Sequence, residues 1–374
     1  MTQHSSHVHP DRPIRVGIIG ASTTGWGRTA HLPALATIPG LEVTAVSTTR
    51  LDSAQATAEE FGIAEAYDNP DELIASDSVD LVIVAVRVQH HYELLQKILA
   101  AGKSVYSEWP SGSTLDQTRQ LRDGFAAAGV YAATGLQARA RPEIRYLQDL
   151  VRDGYLGRVL SSTLVGAGEP WGDVVDQNKA YLQDDALGGT MTTIPFGHTI
   201  DAVCTVLGEF ESLAAMTAIQ QPLVRIAGTD DTVEKTTPDQ LLLAGRLVDG
   251  TMLSAHYRGG KTAGTTLRWE INGTEGTLVV TAPNGNLQLS PLTLHGATAG
   301  ASELEELQVP ASYIHADASL PAPAVTVAES LLVVERDLRH GTRLAPTFDD
   351  AIARKQMLQA LRRAADTGTQ QRLT

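Results

Sequence analysis

The chain has 374 residues, 43% of them hydrophobic and 19% charged, with a formal net charge of −14 and one cysteine. That length allows two cores rather than one, and the acidic balance argues against nucleic acid or an anionic membrane surface as the main partner, since neither meets a positive field. Cys204 alone permits neither an intramolecular disulfide nor a thiolate zinc cluster and suits a reducing cytoplasm, and no apolar run approaches the roughly 20 residues that cross a bilayer.

Residues 1–12 read as a flexible tail, whose three histidines lack the pattern of a metal site. From Ile14 the chain alternates strand, turn and helix. RVGIIG (15–20), LEVTAVST (41–48) and VDLVIVAV (79–86) are strands, the third continuous enough to be buried on both faces. KSVYSEW (103–109) and VYAATGL (130–136) follow. Between them RTAHLPALATI (28–38), SAQATAEEFG (53–62), HYELLQKILAAG (91–102) and LDQTRQLRDGFAAAG (115–129) carry helical patterns, the third stopped by Gly102. The alternation predicts a Rossmann-type parallel sheet over 13–137, covered by helices through right-handed crossovers.

The rest of the chain, 138–374, reads as an α+β domain for substrate and dimerisation. PEIRYLQDLVRDGYLG (142–157) is an amphipathic helix and RVLSSTLVGAG (158–168) a strand. QLLLAGRLVDGTMLSAHYRGG (240–260) and TLRWEINGTEGTLVVTAP (266–283) are strand pairs turning at Asp249-Gly250 and at Asn272 to Gly276. They predict an open, mainly antiparallel sheet with helices to one side. Residues 296–325 look irregular, and FDDAIARKQMLQALRRAAD (348–366) is a helix whose first turn holds Asp349 and Asp350, where the macrodipole favours them. An open sheet face needs covering, which predicts a homodimer.

The first strand and turn read VGIIGASTTGWGRTAHLP. Gly17 and Gly20 are placed to make the tight turn, with Ser22, Thr23 and Thr24 in a loop longer than G-x-G-x-x-G and backbone N–H groups facing a pyrophosphate. The second strand ends in Ser47-Thr48-Thr49-Arg50, with no acid before Asp52. Hydroxyls and an arginine suit the 2′-phosphate of NADP, where an acid would select NAD, so NADP is the expected cofactor with NAD the alternative. His90 reads as surface-facing and His91 as packing at the cofactor edge. Neither has an acidic partner at metal-ligand spacing, and no metal is expected.

GKSVYSEWP, GGTMTTIPFGHTID and the order of elements over residues 13–366 resemble the Gfo/Idh/MocA family of nicotinamide-dependent sugar and polyol oxidoreductases. The resemblance implies that Glu108, Trp109 and Pro110 stand at an E-K-P motif whose lysine serves the reacting carbinol, so tryptophan occupies the lysine position, and Glu108 and Trp109 are expected at the cofactor. It also puts His198 at the position of a site histidine, with Ile194 where an aspartate is usual, and Arg87 where proline commonly stands beside the nicotinamide. TTIPFGHTID, PDQLLLAGRL and HYRGGK are similar to the galactose-regulon repressor branch of the same fold family, which also has tryptophan after the glutamate.

Oxidising a carbinol leaves a proton for a base whose pKa lies near the working pH. An indole N–H donates but accepts no proton, so Trp109 stacks on the nicotinamide or a sugar face without acid-base work. His198 is then the candidate base. Lys179 and Tyr181, in DQNKAYLQDDALGG, are further candidates, and Asp184-Asp185 read as a solvated turn. Two readings stand: an oxidoreductase acting on a carbohydrate with a reorganised site, and a cofactor-binding sensor whose bound state a protein partner reads.

Overall fold

The computed structural model describes residues 12–261, 263–264 and 266–373. The expected tail lies outside the described residues except for Arg12, which Asp80 holds at 2.9 Å. The chain divides into two compact units: the part up to Gln137 together with His315–Ala353, and Ala138–Ile314 together with the end from Arg354 onward.

In the first unit β1 (Ile14–Ile19), β2 (Leu41–Ser47), β3 (Glu65–Tyr67), β4 (Leu81–Val84), β5 (Ser104–Glu108) and β6 (Ala132–Gly135) form a parallel sheet in the order β3-β2-β1-β4-β5-β6. The connections carry α1 (Leu32–Leu35), α2 (Leu51–Phe61), α3 (Pro70–Ala75), α4 (His91–Ala100) and α5 (Leu115–Ala128). Side chains alternate across a strand. In β4, Leu81 and Ile83 enter one core cluster and Val82 and Val84 another. Cores on both faces explain why these strands read as unbroken apolar runs. The elements β3 and α3 were not expected, because three and six residues are too short to show a period. α3 depends on local chemistry instead, with Pro70 in its first turn and Asn69 accepting from the Asp71 N–H at 3.0 Å.

The second unit opens with α6 (Pro142–Arg152) and β7 (Val159–Gly168), followed by β8 (Val174–Val175), α7 (Pro195–Leu207), β9 (Phe210–Ala218), β10 (Leu223–Ile226), β11 (Thr232–Glu234), β12 (Gln240–Leu247), β13 (Met252–Gly259), β14 (Leu267–Gly273), β15 (Gly276–Ala282), β16 (Thr293–Thr298) and β17 (Glu305–Glu306). With β18 (Gln371–Arg372) these build a nine-stranded sheet in the order β17-β16-β15-β14-β7-β13-β12-β9-β18, and β8, β10 and β11 form a small separate sheet. Every pairing in the large sheet is antiparallel except β7 with β13. Burial alternates strictly along β12, so one face is covered and the other faces out. The covered face meets α7, where Phe196 packs edge-on to Tyr257 at 5.4 Å.

Two helices close the chain, α8 (Ala322–His340) and α9 (Phe348–Thr367). α9 lies where the sequence puts it. α8 was not expected, and it corrects the domain boundaries read from the sequence: its Ala324, Val327, Ala328, Leu331 and Val334 join Ile14, Leu32 and Leu35 in one core, so His315–Ala353 belongs with the first unit. An apolar helix face does not state which sheet it will cover.

Candidate functional site

The first unit brings four loop starts together, because β2, β1, β4 and β5 are adjacent and parallel and so end on one edge. The strand order reverses between β1 and β4, the place where open α/β sheets bind ligands. After β1 the chain turns at Gly20, whose φ is +108° and whose missing Cβ would stand 2.5 Å from the Ala85 carbonyl oxygen. A Cβ at Gly25 or Gly27 would lie within 3 Å of the Gly20 carbonyl oxygen. These three glycines let the loop fold back on itself. Ser22, Thr23 and Thr24 line it, the two threonines exposed. The five-residue turn Gly27–His31 that follows is wide, closed by the Leu32 N–H on the Gly27 carbonyl, a geometry frequent at functional sites.

Gly17 is corrected. It sits inside β1, buried, where a Cβ would meet Leu73 at 2.7 Å, so it serves helix-on-sheet packing and not the turn.

At the end of β2, Ser47 accepts the Gly20 N–H at 2.9 Å through its carbonyl, while its own Oγ is buried and without a partner. Thr48 donates its hydroxyl to the Arg50 carbonyl at 2.8 Å and thereby fixes the start of α2. Arg50 extends into solvent and pairs with Asp52 at 3.2 Å. The glycine cradle and the orphaned Ser47 hydroxyl fit a dinucleotide.

Two buried histidines hold the turn after β5. His31 Nε2 lies 2.6 Å from Glu108 Oε1, and the Gln137 amide donates to both Glu108 oxygens at 2.7 and 2.8 Å. Glu108, expected at the cofactor, is therefore an anchor whose carboxylate is taken up inside the unit. His91 directs Nδ1 at the Pro110 carbonyl and Nε2 at the Val86 carbonyl, both at 2.9 Å, which ties the turn after β5 to the turn after β4. Trp109, 3% exposed, stands between these two anchors, and Arg87 is exposed beside His91 at the end of β4. His31 and Gln137 are contributors that sequence reading missed. Their only signal is a polar residue set next to a buried apolar run.

The candidates in the second unit are less unified. His198 lies in the first turns of α7 and is 1% exposed. Thr199, beside it, bonds the Tyr257 hydroxyl at 3.0 Å. Lys179 is exposed and paired with Asp176 at 3.2 Å, so as it stands its amine is a surface cation. Tyr181 is half-buried, its ring 3.5 Å from where a Cβ on Gly189 would be. Asp184 caps a short turn by accepting the Ala186 N–H at 2.9 Å, and Asp185 pairs with Arg362, which agrees with a solvated turn. α7 and α9 are joined below by Asp201, which Arg139 meets at 2.6 Å and Arg354 at 3.2 Å, with Arg354 also on Glu209 at 2.7 Å. Burial pushes the Cys204 thiol there up to about 12 despite Arg354 beside it. Among the described residues no cluster of histidine, cysteine or carboxylate can hold a metal, and no helix is long and apolar enough to cross a membrane.

A doubly wound sheet with a glycine-rich turn at its switch point, followed by an open mixed sheet, defines a dinucleotide-binding two-domain protein. The model of the oxidoreductase family with an NAD-binding Rossmann fold, Gfo/Idh/MocA, matches residues 14–136, and that of the Gal80p C-terminal domain matches 142–282. The two matches together are consistent with a Gfo/Idh/MocA member similar to Gal80. It is 29% identical over 370 residues to the dehydrogenase aclE of Aspergillus oryzae, covering 95% of this chain and 97% of that one. It is 28% identical over 304 residues to the galactose/lactose metabolism regulatory protein GAL80 of Saccharomyces cerevisiae, covering 76% and 70%. A super-repressor mutant of that Gal80p shares the fold at a TM-score of 0.86 and 22% identity over 96% of this chain and 97% of its own. Levoglucosan dehydrogenase, solved with NADH and levoglucosan, does so at 0.82 and 17% over 97% and 99%.

Proposed function

We propose that the chain is an NADP-dependent oxidoreductase acting on a hydroxyl of a sugar or sugar derivative. The observation that carries it is the switch-point edge of the first unit, where the Gly20–Gly27 loop meets a β2 end made of hydroxyls and Arg50 with no competing acid before Asp52. Ser22, Thr23 and Thr24 would hold the pyrophosphate, and Ser47, Thr48 and Arg50 the phosphorylated ribose. The match to a dehydrogenase along nearly the whole of both chains supports turnover over binding alone.

Held by these residues, a nicotinamide cofactor would supply the hydride acceptor for a carbinol. The hydroxyl proton goes to a base of the chain. Trp109, in the position of the family lysine, offers an apolar face and an N–H donor but no acceptor, so His198 is the base in this reading. The outward face of the large sheet supports a homodimer: Met216 and Leu242 are cross-strand partners, 69% and 46% exposed, and Met252, opposite Arg246 further along the same face, is 54% exposed. A buried, unreactive Cys204 suits the reducing cytoplasm we assign with it.

The test is absorbance in the reduced-nicotinamide band for protein incubated with NADP and a panel of aldoses, inositols and glycosides. Substrate-dependent reduction that is lost in His198→Ala supports the reading. Tight NADP binding with no turnover on any of them supports the second one, a cofactor-binding regulator read by a protein partner, which the missing acceptor at Trp109 and the Gal80-like second unit favour.

A further inference from the structure

The proposal above leaves one buried group without a task. His31 is the last residue of the wide turn that closes the glycine-rich loop, it is fully buried, and its Nε2 meets the Glu108 carboxylate at 2.6 Å. Glu108 is the residue before Trp109. A single short contact therefore joins the segment that would receive the pyrophosphate to the segment that carries the indole.

The contact is strongly constrained at both ends. The His31 ring is packed edge-on against Tyr106 at 5.8 Å, and Gln137 donates to both oxygens of Glu108. Gly135 makes room for that grip, since a Cβ there would stand 2.8 Å from the Gln137 amide nitrogen. On the far side of Trp109, His91 fixes the Pro110 carbonyl at 2.9 Å. With the turn held before and after the indole, a displacement of His31 reaches the Glu108–Trp109 link directly through this contact. Charge-assisted hydrogen bonds are the strong ones, and a buried one transmits a displacement more faithfully than an apolar contact that can slide.

From this geometry we infer that His31 is a positioning residue which couples occupancy of the glycine-rich loop to the orientation of Trp109, through Glu108. The inference rests on the dinucleotide reading and adds a regulation to it: the phosphate half of the cofactor sets the indole before the nicotinamide half or a substrate arrives. In an enzyme this orders binding. In a regulator it supplies the change that a partner reads.

The experiment uses the full chain labelled with 5-fluorotryptophan. Four tryptophans give four fluorine resonances, and Trp109→Phe assigns the one concerned. The probe is 2′-phospho-ADP-ribose, which carries the pyrophosphate and the 2′-phosphate of NADP and lacks the nicotinamide ring. At saturation, established by calorimetry, the Trp109 resonance shifts in the wild type and in His31→Gln, whose amide still donates to Glu108. It stays in place in His31→Phe, with probe raised until that variant is saturated too. Glu108→Met cuts the same contact from the other end and gives the same loss of shift, independently of how well His31→Phe folds. An equal shift in His31→Phe and Glu108→Met, or none in a wild type that has bound the probe, overturns the coupling and leaves the dinucleotide site standing. No binding of the probe to the wild type overturns both.

Discussion

The two units carry their candidate residues in different ways. In the first, Gly20, Ser47, Thr48, Arg87, His91 and Trp109 come from four adjacent strand ends, and most are fixed by a backbone contact or a buried bond. In the second, His198 is enclosed in a helix, Lys179 is a surface cation on Asp176, and Tyr181 is half-buried in a connecting segment. A parallel sheet assembles a binding edge from its topology alone. A catalytic group in a mixed sheet depends on single side chains, each of which can be replaced without disturbing the rest.

The comparison breaks first at the core of the second unit. Asp201→Ala leaves Arg354 buried, and Arg139 nearly so, without their shared carboxylate, and costs about 3–5 kcal/mol in denaturant unfolding. The first unit is more sensitive at its backbone. Gly20→Ala forces φ +108° and a 2.5 Å approach to Ala85 on a residue with a Cβ, so it costs about 1–3 kcal/mol and weakens NADP binding by at least about tenfold in calorimetry. The third change acts through pH. Burial lowers the Lys355 amine to about 8. Between there and the ordinary lysine range the unfolded chain binds more protons, so stability rises with pH across that window. Lys355→Met is therefore more stable than the wild type at pH 7, by roughly 1–3 kcal/mol, and the advantage shrinks as pH climbs from 8 to about 10.5. The smallest effect sharpens the contrast between the units. Lys179→Ala changes stability by under about 0.5 kcal/mol and leaves turnover intact, since its amine only pairs with Asp176 in solvent.

Periodicity made the first sheet legible, because its strands are apolar throughout and its helices are long enough to show a repeat. The glycine-rich turn was legible by position, yet glycine alone did not separate Gly20, which needs its φ, from Gly17, which needs only space. α8 has apolar positions at helical spacing, but nothing local says that they join Ile14 and Leu32 rather than the sheet next to them in sequence. The E-K-P resemblance puts Glu108 at the cofactor, at the end of a strand on the right edge. Side-chain direction at a strand end is set by pleat and register, and here it sends the carboxylate inward to His31 and Gln137. Those two partners are 77 and 29 residues away in sequence, a separation that no local pattern records.

The switch-point edge of the first unit is proposed to bind a dinucleotide and to prefer the phosphorylated one. Calorimetric titration of the wild type with NADPH and with NADH, beside Arg50→Glu, tests it most directly. NADPH is expected to bind about five- to tenfold more tightly, for one charge-assisted contact to the 2′-phosphate, with the preference lost in Arg50→Glu and NADH affinity little changed. Tighter binding of NADH, or heat from neither, would contradict it.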